Sequence, residues 1–122
     1  MRTITFGLLL SLLLVSFAGC STDPVDGEMS SEDITVLAQC LGEKDVLMYG
    51  SIGCGHCQNQ KDAFGDSFQY INYIECNPNV DLDSARKCQA AGINGVPTWK
   101  FPDGTEKVGE TSLPELAEAA GC

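Results

Sequence analysis

The run Val46-Leu47-Met48-Tyr49-Gly50-Ser51-Ile52-Gly53-Cys54-Gly55-His56-Cys57 decides the fold. Its first four residues are apolar and stop at Gly50, the pattern of a short buried strand. From Cys54 the chain reads as helix to about Phe68, with Ala63, Phe64 and Phe68 as core positions. Gly65 inside that stretch costs about 1 kcal/mol relative to alanine and is placed to mark a bend. A strand running into a helix here sets both thiols on the first helical turn. The upstream sulfur then meets unpaired N–H groups and the positive end of the helix dipole, which favour its thiolate. A second thiol one turn on completes the equipment for thiol–disulfide exchange.

Upstream, Ser30 with Asp33 three residues on is a helix-capping pair, and Ile34, Leu37, Ala38 and Leu41 follow at helical spacing. Downstream, Tyr70 to Cys76 is rich in aromatic and β-branched residues and reads as a strand. Asp81 to Ala91 reads as a helix that Gly92 stops. Thr98–Phe101 and Thr105–Val108 flank the turn Pro102-Asp103-Gly104, a hairpin signal. Ser112 and Glu115 form a second capping pair for a last helix to Ala120, with Leu113, Leu116, Ala117 and Ala120 facing inward. These elements predict an α/β domain, a four-stranded mixed sheet with helices on both faces.

A strand, a Cys-x-x-Cys helix start and, some forty residues later, Gly95-Val96-Pro97-Thr98 before a hairpin resemble the thioredoxin superfamily over residues 31–122. More narrowly, Met48-Tyr49-Gly50, Tyr70-Ile71-Asn72-Tyr73-Ile74-Glu75-Cys76 and Val96-Pro97-Thr98-Trp99 resemble the thioredoxin-like domain that accompanies bacterial and archaeal vitamin K epoxide reductase homologues. The resemblance implies that Pro97 is cis, lies beside the cysteines, and leaves the Val96 backbone to bind a substrate chain by strand addition. The alternative is a trans proline opening an edge strand. Cys54 is the expected nucleophile and Cys57 the resolving thiol. His56, if not simply an exposed spacer, stabilises the Cys54 thiolate, which makes the disulfide form more oxidising. The tetrapeptide matches that of protein disulfide isomerase and so implies oxidase or isomerase work. Trp99 is expected in the core. Two departures stand out: Met48 occupies the position where many thioredoxins have a buried acid, and Gly53 replaces the common Trp.

The N-terminus carries Arg2 and then a mostly apolar stretch from Ile4 to Phe17, too short to span a bilayer comfortably but right for an export signal. Phe17-Ala18-Gly19-Cys20 resembles a bacterial lipoprotein signal, although Phe17 departs from the usual Leu. The expectation is a signal peptide over residues 1–19, lipidation of Cys20, and a flexible polar tether over 20–30. An ordinary cleaved signal or an uncleaved anchor are the alternatives, and each places the domain outside the cytoplasm. The formal charge of −10 argues against nucleic acid and against anionic headgroups as partners.

Seven cysteines is an odd count. With Cys20 lipidated, three pairs remain, and export is where disulfides persist. Cys54 and Cys57 are the exchange pair. Cys76, at the end of a strand, and Cys88, in the following helix, are close enough for a local staple or a second redox pair. In the thioredoxin fold that the resemblance implies, the first and last helices finish at the edge opposite the active site, where Cys40 and Cys122 can meet. A structural zinc site is disfavoured, because His56 is the single histidine and no second Cys-x-x-Cys exists. No metal and no cofactor is implied.

The leading expectation is a membrane-tethered, extracytoplasmic thiol–disulfide oxidoreductase of oxidase or isomerase type. It would act on protein thiols and disulfides and be reoxidised by a quinone-linked membrane protein of the vitamin K epoxide reductase type. One alternative is a reductase of extracytoplasmic disulfides, for example in cytochrome maturation. Another is a non-catalytic, disulfide-stapled lipoprotein.

Overall fold

Ser30 opens the first helix, α1 (Ser31–Glu43). Its hydroxyl oxygen accepts from the Asp33 amide at 3.1 Å, while the Asp33 carboxylate takes the Ser30 amide at 3.3 Å. Two end groups of the helix are thus satisfied reciprocally. Leu37, Ala38 and Leu41 are buried along one face. The computed structural model describes residues 28–122. The signal-like residues 1–19, Cys20 and most of the expected tether lie outside the described residues.

Strand β1 (Leu47–Gly50) follows, then α2 (Gly55–Phe64), β2 (Asn72–Glu75), α3 (Leu82–Ala90), β3 (Thr98–Lys100), β4 (Glu106–Val108) and α4 (Leu113–Ala120). The sheet order is β2-β1-β3-β4. β1 runs parallel to β2 and antiparallel to β3, which pairs antiparallel with β4. This is the expected mixed four-stranded sheet, built by a parallel crossover through α2, a connection through α3 that passes β1, and one hairpin.

Side chains alternate across the sheet, so register assigns its two faces. Met48 pairs with Tyr73 and with Trp99, and these three share a face. Met48 and Trp99 form one apolar core with Leu37, Ala38 and Leu41 of α1, Cys57 and Phe64 of α2, and Leu116 of α4. α3 covers the opposite face: Cys88 bonds Cys76 there, and the Lys100 ammonium donates to the Ala91 carbonyl at 2.6 Å. Helices therefore lie on both faces.

Three local readings are corrected. The helix begun at Cys54 stops at Phe64, because Gly65 adopts φ 54° and ψ −135°, a conformation that residues with a Cβ avoid. A 3₁₀ segment, Gly65–Tyr70, continues the chain. Ala63 faces solvent, because the buried face of α2 is that of Cys57, Gln60 and Phe64, and beyond the break Ser67 turns inward with its hydroxyl 2.7 Å from that of Thr35. Tyr70 belongs to the 3₁₀ segment, so β2 is four residues long rather than seven.

Two disulfides brace this frame. Cys40, one turn before the end of α1, bonds Cys122 with Cα atoms 6.1 Å apart. Cys76 bonds Cys88 with Cα atoms 5.6 Å apart. α1 feeds the start of β1, so the Cys40–Cys122 bond lies at the edge away from Cys54. Lys44 reinforces it by donating to the carbonyls of Ala120 at 2.8 Å and Gly121 at 2.9 Å, the favoured place for a cation on a helix. Among the described residues no helix is long and apolar enough to cross a membrane. Replacing Cys40 and Cys122 together by Ser should lower the unfolding free energy by up to about 4 kcal/mol, and replacing Cys76 and Cys88 by up to about 3. Urea unfolding of the two double variants checks the order, which follows the lengths of the loops closed.

Candidate active site

Cys54 is the N-cap of α2. Its backbone is extended, its carbonyl accepts the first helical bond from Gln58, and its sulfur accepts from the Cys57 amide at 3.2 Å. The motif therefore holds the upstream sulfur against a helix N-terminus, where donors await negative charge. Cys57, one turn on, is fully buried, while Cys54 remains partly exposed. Burial pushes the Cys57 thiol up to about 12 from the ordinary 9.0. Its hydrogen bond to Cys54 adds to this, and the Ser51 backbone, which favours the thiolate, opposes it.

The peptide between Val96 and Pro97 is cis. Pro97 is buried, and the Cys54 thiol reaches the Val96 carbonyl at 3.6 Å. Beside Cys54 the surface is open: a Cβ at Gly53 would meet nothing within 4 Å, and Ile52 is 60% exposed. Under Cys57 the sheet presents Met48, fully buried and without a proton to exchange. His56 is turned outward. Its Nδ1 donates to Glu110 Oε2 at 2.9 Å, and that bond holds the Glu110 carboxyl below the ordinary carboxylate range.

The structure brings Cys54, His56, Cys57, Val96 and Pro97 to one edge of the sheet. Cys76–Cys88 lies across the sheet on α3, and Cys40–Cys122 at the far end. Cys20 is outside the described residues. Sequence reasoning missed Glu110, which stands 54 positions from His56 with no local pattern to announce it. It also missed Gln60, 2% exposed, whose Oε1 accepts from the Thr111 amide and the Trp99 indole and whose Nε2 donates to the Thr111 carbonyl. Its helical spacing from Cys57 and Phe64 was the available signal. Among the described residues no group of three or more His, Cys, Asp or Glu is placed to hold a metal ion.

A mixed sheet in this order, with a dithiol capping the helix after β1 and a cis-proline facing it, is the thioredoxin-like fold. The chain is 38% identical over 96 residues to thiol-disulfide oxidoreductase LTO1 of Arabidopsis thaliana. The match covers 75% of this chain and 25% of the relative, so the chain spans about a quarter of that protein's length. No protein-family model matches the chain.

The raised Cys57 pKa has a stability consequence. In the reduced state the folded domain keeps a proton that the unfolded chain releases from pH 9.0 upward, so stability present below that pH is lost towards about pH 12. With both structural disulfides intact, the reduced protein should show a steeper fall in its urea midpoint over this range than Cys57→Ser does. Parallel curves for the two would remove the assignment.

Proposed function

We propose that this chain is an extracytoplasmic thiol–disulfide oxidoreductase of oxidase or isomerase type. The arrangement that supports it is a partly exposed sulfur at a helix N-terminus, backed by a buried thiol and faced by a cis-proline. The similarity to a protein named a thiol-disulfide oxidoreductase points the same way. Protein thiols and disulfides are the substrates. A lipid on Cys20 tethers the domain to the outer side of a membrane, and a quinone-linked membrane protein of the vitamin K epoxide reductase type reoxidises it. The N-terminal pattern supports the first of these, and the short sequence resemblances near β1, β2 and β3 support the second.

In the oxidising direction a substrate thiolate attacks Cys54 Sγ of the Cys54–Cys57 disulfide, and Cys57 leaves with the electron pair. A second substrate thiolate then attacks the substrate sulfur of the mixed disulfide. Cys54 departs as thiolate, and two electrons have moved from substrate to domain. The Cys57 amide meets the charge returning to Cys54. The Val96 backbone lies within reach of a chain whose cysteine is joined to Cys54, and pairs with it as an added strand.

Cys54→Ser should abolish exchange, and Cys57→Ser should accumulate mixed disulfides with substrate proteins, seen on non-reducing gels. Trapping by Cys54→Ser instead would reverse the two roles. The measurement that tests direction is the potential of the Cys54/Cys57 couple against glutathione, expected near that of disulfide isomerases, about −180 mV. A value near about −270 mV would favour the reductase alternative. His56→Pro should make the couple more reducing, because it removes a ring that can turn from Glu110 to an anionic Cys54. An unchanged potential would remove His56 from the mechanism.

A further inference from the structure

Cys57 has a proton to lose and no evident place for it to go. Its sulfur is buried, and Met48, on the sheet face beneath α2, has nothing to accept with. The β-strand residues that share this face are Met48 and Gly50 of β1, Tyr73 and Glu75 of β2, Trp99 of β3 and Lys107 of β4. Glu75 is the one carboxylate among them. It pairs in register with Gly50, at the ends of β1 and β2 from which the chain turns towards Cys54.

Its anchoring ties it to the dithiol. The Ile52 amide donates to Glu75 Oε2 at 3.0 Å, and the Asn77 amide to Oε1 at 2.9 Å. The backbone of the neighbouring residue, Ser51, faces Cys57 and favours its thiolate. Ser51 and Ile52, on Cα atoms about 3.8 Å apart, thus join the surroundings of the buried sulfur to the anchor of the carboxylate. The Tyr73 hydroxyl donates to Glu75 Oε2 at 2.8 Å. Its ring fills the space above Gly50, where a Cβ would stand 2.7 Å from the ring carbon Cε2. Lys61, one turn beyond Cys57 on α2, places its ammonium 3.8 Å from the centre of that ring. Burial and the bond to Glu75 hold the Tyr73 hydroxyl above the ordinary phenol range, and the charges of Cys57 and Cys54 push it the same way. The ionisable groups gathered at this corner are thus Glu75 and Tyr73 from β2 and Cys54, Cys57 and Lys61 from α2.

We propose that Glu75 takes and returns the Cys57 proton during exchange, with Tyr73 and Lys61 as positioning residues. This rests on the exchange reading above. With a substrate sulfur joined to Cys54, Cys57 Sγ attacks Cys54 Sγ. The Cys54–Cys57 bond forms as the bond to the substrate breaks, and the substrate leaves as thiolate with the electron pair. The Cys57 proton passes to the Glu75 carboxylate, and from there to the departing thiolate. In the reverse direction Cys57 leaves as thiolate and regains the proton from Glu75. Two electrons move between dithiol and substrate in either case, and no further oxidant enters.

The test follows the reduced domain, with its two structural disulfides intact, against an aromatic disulfide whose thiolate is coloured. Attack by Cys54 releases the first thiolate, and closure by Cys57 releases the second. In Glu75→Gln, which keeps the shape and one of the two acceptor oxygens, the second release at neutral pH should slow about 100-fold. Its pH profile should become that of an unassisted thiol, rising with hydroxide, while the first release stays within about twofold of the parent. Glu75→Asp should restore part of the second rate, and Tyr73→Phe should slow it less than Glu75→Gln does. An unchanged second phase in Glu75→Gln, or a slower one with the parent pH profile, would overturn the proposal. If the parent domain released neither thiolate, the exchange reading itself would fail. Should Glu75→Gln not fold, a parent rate and profile in Glu75→Asp and Tyr73→Phe alike would overturn the proton role.

Discussion

A single buried amide, Gln60, holds together the three pieces of chain that make the site. It lies on α2, one turn past Cys57, and is 2% exposed. Its oxygen accepts from the Thr111 amide at 2.7 Å and from the Trp99 indole at 3.3 Å, and its nitrogen donates to the Thr111 carbonyl at 3.0 Å. A buried amide is costly unless its groups are paired, and here both ends are. The arrangement therefore admits one relative placement of α2, of β3 just after Pro97, and of the loop that carries Glu110. Trp99, packed between Phe64 and Met48, supplies the apolar half of the same lock.

Much of this frame can be read from local pattern because its causes are local. Ser30 with Asp33 and Ser112 with Glu115 announce two helix starts within four residues each, and both form capping boxes. The apolar run before Gly50 and the turn at Pro102-Asp103-Gly104 likewise depend on neighbours in sequence. The errors have local causes that propensity does not weigh. Gly65 reads as a tolerated bend in a helix and is instead its end, and the buried face of that helix includes Gln60 in place of the apolar Ala63. Tyr70 has a strand-forming side chain, but the 3₁₀ segment consumes it before the sheet begins.

At the site, the motif from Cys54 to Cys57 carries its own geometry, since the cap, the amide donor and the depth of the second thiol all follow from one helical turn. The groups around it do not. Glu110 reaches His56 across 54 residues, and Glu75 reaches the Ile52 amide across 23. Neither contact leaves a trace in spacing or composition, because it exists only once β1, β2 and the β4–α4 connection are side by side. The Met48 departure was visible in the sequence as a missing acid. What the tertiary structure adds is a carboxylate on the neighbouring strand, at the same edge and on the same face.

Met29 and Cys122 border one cavity, together with Cys40, Leu37 and Ala117. Met29, which leads into α1, and Cys122 thus sit together at the end of the domain away from Cys54. Tension applied through both ends would be borne by α1, the Lys44 clamp and the Cys40–Cys122 cross-link. The sheet and the dithiol beyond it would carry little of that load.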